Sequence, residues 1–165
     1  SFFRRKYDSM KFLAYFQAYT NTYAPVADLE RMYSEALSVP DVMGLVVATR
    51  PDCLSNDVLD LLQAFAEKYY VMVELGVESC ENDTLARINR GHTFEESVAA
   101  IEALAARSIH NCAHLILGLP GENRSVILNQ ARKISALPVE NIKLHQLQIH
   151  RDTVMAHQYV THPAV

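Results

Sequence analysis

Hydrophobic residues in this chain recur alternately at every second position and at helical spacing, and the two periods take turns from one end to the other. The period-two runs predict strands over residues 12–19, 42–49, 70–78, 111–117 and 142–149. Helices fall between them. Residues 26–37 follow Pro25 and carry Leu29, Met32, Tyr33 and Ala36 on one face. Residues 56–68 take Ser55 as N-cap and bury Val58, Leu59, Leu62 and Phe65. A short helix over 82–90 precedes one starting at Thr93, where Thr93 and Glu96 spell a capping box. A further helix over 124–136 ends before Pro138.

Strand–helix–strand steps of about 30 residues demand parallel neighbours, because a right-handed helical crossover returns the chain to the same sheet edge. The class is therefore α/β, with about five parallel strands in one domain over residues 1–165. A closed eight-stranded barrel takes about 250 residues, so the alternatives are part of such a barrel or an open doubly wound sheet. Both put their chemistry at the strand carboxyl ends.

Alternation separates the faces. In the third strand Val71, Val73, Leu75 and Val77 point to helices, whereas Glu74, Gly76 and Glu78 point the other way, the two carboxylates roughly 13 Å apart along the strand. Helices on that second face would leave the carboxylates buried and unpaired, at a cost of several kcal/mol. A polar barrel lumen accommodates them, which favours a partial TIM-like barrel. Tyr15, Gln17, Tyr19 and Asn21 fall on one side of the first strand, and His110, Cys112 and His114 on one side of the fourth, so His114 shares the interior with Glu78. The last strand stays unassigned, since Gln146 and Gln148 fall on the side of Ile142 and Leu144. Taken singly, these residues also have plain structural roles: Glu74 as an ion-pair partner, His114 as a core histidine, Gly118 and Gly121 as turn formers.

Composition narrows the classes. With 50% hydrophobic and 21% charged residues the chain can bury a core, and no apolar run approaches the roughly 20 residues of a membrane span. The start Ser1-Phe2-Phe3-Arg4-Arg5-Lys6 has no secretory pattern, which suggests a cytoplasmic protein. A net charge of -4 does not support a broad nucleic-acid surface. Cys53, Cys80 and Cys112 stand 27 and 32 residues apart, matching no metal knuckle.

Glu78-Ser79, Leu85-Ala86-Arg87-Ile88-Asn89-Arg90-Gly91-His92 and Leu115 to Pro120 together resemble the pattern of radical S-adenosylmethionine (SAM) enzymes near the oxygen-independent coproporphyrinogen oxidase and Elp-type group. The segments Tyr15 to Tyr23 and Thr49 to Leu54 resemble its uncharacterised bacterial YhcC-type subgroup, and the similarity runs over about residues 11–155. The resemblance implies that SAM is cleaved to a 5'-deoxyadenosyl radical that attacks an unknown substrate. It implies cofactor contacts from Gln17, Tyr19, Thr20, Asn21 and Thr22 near the methionyl amino group, Glu78 at the ribose hydroxyls and Arg90 near the carboxylate. His114 stands where relatives often carry aspartate, and Gly118, Leu119 and Pro120 fall in the segment that packs on adenine. Arg50, Asp52 and His145 lie near strand ends outside this pattern and are candidate substrate contacts.

The family's CxxxCxxC loop, whose thiolates hold a [4Fe-4S] cluster, has no counterpart here, and the spacing of the three cysteines does not replace it. The resemblance therefore implies a piece of a longer enzyme, roughly its second to sixth strand, opening inside a helix. Such a piece is expected to be colourless and unable to cleave SAM, its parent requiring an electron donor. Its exposed first-strand edge is expected to favour self-association. Two other readings stay open: a metal-dependent hydrolase with Glu74, His114 and His145 as ligands, and a catalytically inactive interaction module.

Overall fold

A computed structural model describes residues 10–161. Five strands, β1 (Phe12–Phe16), β2 (Val42–Thr49), β3 (Tyr70–Glu78), β4 (His110–Leu117) and β5 (Asn141–Gln146), form one sheet in the order of the chain, every pair parallel. A doubly wound sheet needs a point where strand order reverses, and this order has none. The sheet also curls. Flat, β1 and β5 would lie four strand spacings apart, about 19 Å, yet Lys143 Nζ on β5 donates to Tyr15 Oη on β1 at 3.4 Å. The architecture is thus an open half-barrel of the TIM type, its concave face the lumen.

Helices α1 (Val26–Leu37), α2 (Asn56–Ala66), α3 (Asn82–Arg87), α4 (Phe94–Ala106) and α5 (Arg124–Ser135) separate successive strands, and α6 (Val154–Thr161) follows β5. They form as the sequence dictates: Ser55 accepts from Val58 N at α2, Asn123 from Ser125 and Val126 at α5, and Thr93 and Glu96 close both halves of their capping box at α4. Leu45, Val47, Val71, Val73, Leu75, Val77, Ala113 and Leu115 project outward and are buried with Leu29, Tyr33, Val58, Leu62, Ile101, Leu104 and Ile134. That convex layer is the core. The lumen carries Tyr15, Glu74, His114 and Lys143 beside a few apolar residues such as Ile116.

Four expectations change. The first strand stops at Phe16 rather than running to 19, because Ala18 and Tyr19 take left-handed backbone angles (φ 66° and 63°) that end it in a turn. The helix expected over 82–90 stops at Arg87, ahead of left-handed Asn89 (φ 54°). β5 ends at Gln146, short of 149, and α6 was not anticipated. The expected opening helix falls on residues 1–9, outside the described residues. Among the described residues no helix is long and apolar enough to cross a membrane.

Candidate cofactor site at the carboxyl ends of the strands

β3 supplies the two carboxylates. Along it the register with β4 slips between Gly76 and Glu78, and Glu78 itself has φ 66°, so the strand kinks as it delivers this side chain. Arg90 reaches back over the kink: its Nη2 lies 3.2 Å from Glu78 Oε1 and donates to the Gly76 carbonyl at 2.8 Å. His92 Nε2 lies 3.2 Å from the same carbonyl. Gly91, left-handed at φ 80°, turns the loop so that residues on either side of it converge there. A Cβ on Gly76 would stand 2.3 Å from Arg90 Nη2 and 2.6 Å from Glu78 Oε1, so glycine is what lets the pair lie against the strand.

Deeper in the lumen Glu74 is the hub. Tyr15 Oη donates to its Oε2 and Lys143 Nζ stands 3.2 Å from both oxygens. His114 Nε2, also buried, stands 3.1 Å from the same Oε2. Burial works to raise the Glu74 carboxyl; hydrogen bonds from Tyr15 and Lys143, with nearby His114, hold it below the usual range. At Glu78 burial wins and pushes the carboxyl up despite Arg90. Burial also pulls the His114 and His92 imidazoles down, keeping them neutral near pH 7.

Tyr19, Thr20, Arg50, Glu74, Gly76, Glu78, Arg90 and His114 line one cavity of about 410 Å³. Glu78 and His114 are shared with a second, of about 610 Å³, that includes His145, Gln146, Leu147 and Gln148. Leu147 is shared in turn with a third, of about 490 Å³, bounded by Arg87, Gly118, Pro120 and Tyr159. The three form a chain. Arg50 and Asp52 are paired with each other, Nε to Oδ1 at 2.9 Å and Nη2 to Oδ2 at 2.5 Å, Arg50 on the cavity wall.

Other expected site residues sit elsewhere. Asn21 spends its amide on the carbonyls of Phe16, Ala18 and Ala48, holding the turn after β1. Thr22 is buried, its hydroxyl shared with Thr49 and Cys53 O. Gln17 is exposed and Leu119 buried, and neither lines these cavities. The hydrolase ligand set is not assembled as drawn: the three-residue cluster at Glu74 and His114 is completed by Cys112, while the His145 ring lies tilted at 47° to the His114 ring, 5.1 Å between centroids. Gly76 and His92, though on the polar face and in the motif, and Lys143 were not among the expected site residues.

Residues 4–134 match the family model described as the radical SAM superfamily. The chain belongs to the radical SAM superfamily. It is 43% identical over 147 residues to the protein YhcC of Escherichia coli (strain K12), covering 88% of this chain and 48% of that one. With YtqA of Bacillus subtilis (strain 168) it shares 41% over 154 residues, covering 93% and 48%. The chain thus spans about half the length of these curated relatives. Among solved structures, archaeal Elp3 of Methanocaldococcus infernus superposes with a TM-score of 0.77 at 18% identity, over 89% of this chain and 39% of that one, a likeness of fold. The superfamily takes its name from radical chemistry with SAM, and one solved structure of related fold, the methyltransferase TsrM of Kitasatospora setae, carries a [4Fe-4S] cluster.

The two groups fare differently against the residues present. Arg90 retains a buried Nε without a partner, and the Gly76 cradle, Glu78 carboxylate and linked cavities suit an elongated ligand carrying a carboxylate, hydroxyls and a flat base. A cluster does not fit. Cys53 follows β2, Cys80 follows β3 with its buried thiol pushed up to about 12, and Cys112 lies within β4.

Proposed function

We propose that this chain holds SAM along the carboxyl ends of its strands as part of a radical SAM enzyme. The observation that carries the reading is the Glu78–Arg90 pair laid over Gly76 at the wall of the first cavity. SAM, when bound, supplies the adenosyl group from which the family's 5'-deoxyadenosyl radical comes. This chain's residues bind and orient it. Arg90 turns its guanidinium to the methionyl carboxylate, using donors beyond those given to Gly76 O. Glu78, released from Arg90, accepts from the ribose hydroxyls. Tyr19 and Thr20 flank the amino group, and the adenine lies past Leu147 against Gly118 and Pro120, where the absence of a side chain at Gly118 admits the ring.

The chain alone is proposed to leave bound SAM intact, because its cysteines do not fit a cluster; the parent enzyme would take electrons from a donor and act on a substrate still to be found. β1, at one edge of the described sheet, is proposed to pair with another copy when exposed. Equilibrium dialysis with labelled SAM tests the binding. The 165-residue chain should bind saturably, and Arg90→Gln and Glu78→Gln should each bind about tenfold or more weakly, a charged hydrogen bond being worth ~1.5–3 kcal/mol. Equal binding by both variants would refute the assignment.

A further inference from the structure

We propose that Glu74, Cys112 and His114 form a site for a thiophilic divalent cation of the zinc type at the floor of the lumen, with the Lys143 ammonium holding the place when no metal is there. Register puts Glu74 beside Cys112 on adjacent strands, and His114 follows two residues later on the same face, so all three turn into the lumen. One ligand atom from each lies within 4.8 Å of the other two. A tetrahedral zinc ion with bonds of about 2.0–2.3 Å holds its ligand atoms a little under 4 Å apart. Side-chain rotations of about an ångström close the difference.

The donors also fit. Thiolate, imidazole and carboxylate suit zinc or cobalt and disfavour magnesium or calcium, which take oxygen alone. His114 Nε2 is buried and stands 3.1 Å from Glu74 Oε2, so one ion placed beside them can take an imidazole lone pair and a carboxylate oxygen together. Glu74 already has a cation 3.2 Å from both oxygens, and that cation can leave: the Lys143 side chain is 43% exposed, against 9% for Glu74. On binding, the Cys112 thiol gives its proton to solvent as the sulfur–metal bond forms, and Lys143 swings outward. The fourth position faces the cavity that Glu74 and His114 share with Glu78 and Arg90, open to an oxygen or nitrogen donor of a small molecule. Only that last role rests on the SAM reading; the metal site does not.

Cobalt(II) titration of the 165-residue chain tests this. One equivalent should bind saturably with a thiolate-to-cobalt charge-transfer band and the release of a proton, and zinc should displace it. Cys112→Ser should abolish the band, circular dichroism reporting whether the variant is folded. Lys143→Met should tighten binding by about tenfold or more, because a like charge next to the ion is removed. In the parent chain, zinc should protect Cys112 but not Cys53 from alkylation, a readout that needs no variant. Absence of the charge-transfer band at saturating cobalt, its persistence in Cys112→Ser, or unchanged affinity in Lys143→Met overturns the proposal. SAM binding, measured by dialysis without metal, succeeds or fails independently.

Discussion

Gly44 and Gly76 sit on neighbouring strands and both face the lumen, yet adding one methyl group to each should break different things. At Gly76 the new Cβ would meet the far ends of two flexible side chains, Arg90 Nη2 at 2.3 Å and Glu78 Oε1 at 2.6 Å. Those atoms can move. At Gly44 it would meet the backbone of the register partner, Tyr70 O at 2.1 Å and Tyr70 C at 2.9 Å, and backbone can yield only by parting β2 from β3. Gly76→Ala should therefore stay within about 1 kcal/mol of the parent in a urea melt, alanine recovering part of glycine's entropic cost. Its damage is local: Arg90 and Glu78 must swing aside for the new methyl group, and a displaced Arg90 forfeits the charged hydrogen bond proposed to the SAM carboxylate, worth ~1.5–3 kcal/mol, or about 10- to 150-fold in SAM affinity by equilibrium dialysis. Gly44→Ala should lose about 1–3 kcal/mol of stability or more, as overpacking against a fixed neighbour does. A Gly76→Ala protein that binds SAM like the parent, or that unfolds as early as Gly44→Ala, would refute the reasoning.

Thr93→Ala, which removes one half of the capping box whose other half is Glu96 Oε2 at 2.7 Å from Thr93 N, should cost about 1 kcal/mol in the same urea melts. Gln130→Leu should cost more, about 1–3 kcal/mol, because buried Gln130 bridges Cys80 N at 2.8 Å and Glu122 Oε2 at 2.7 Å and both would lose it. Stability should fall as pH drops below the ordinary histidine value of about 6.5, since the unfolded chain takes up protons that His92 and His114, with pKa values depressed by burial, refuse until the pH passes their native values. Glu78, raised by burial, works the opposite way as pH falls, so the readout is the difference in slope between the parent and a His92→Gln, His114→Gln double variant, which should be flatter between about pH 7 and 5.5.

What could be read from the sequence followed from contrast between faces. β3 alternates valine and leucine with Glu74, Gly76 and Glu78, and since only one face of a half-barrel is covered by helices, the lumen side was legible there and at Tyr15 and His114. β5 lacks that contrast. Ile142 and Leu144 on its outer face are 50% and 60% exposed, so alternation there carries little information, and Lys143, which joins β5 to β1 and β3, was missed with it. The early end of β1 was hidden too, because left-handed Ala18 and Tyr19 are not residues that announce a turn. Helix α6 buries none of its residues and so shows no apolar stripe. The convergence of Arg90 and His92 on one carbonyl depends on a loop conformation that no periodicity encodes.

The charges of the lumen follow one rule. Glu78 lies against Arg90 and Glu74 against Lys143, so both carboxylates on the wall of the first cavity meet a cation, and Arg50 on the same wall is paired with Asp52. Half-buried and facing a concave surface, an unpaired member of any of these would cost more than its partner returns in water, which is why the pairs form before any ligand arrives. A ligand of a single charge would enter this arrangement by stranding one partner. A ligand with both signs, such as the methionyl end of SAM, can take Arg90 with its carboxylate while its cationic groups remain near Glu78, so that the exchange leaves no charge alone. The same reasoning applies at Glu74, where a divalent ion replaces Lys143 and the thiol's proton leaves in compensation. Paired charges that can change partners, held on a rigid sheet by Gly76 and the curl of the strands, are what make this face suited to binding rather than to the core.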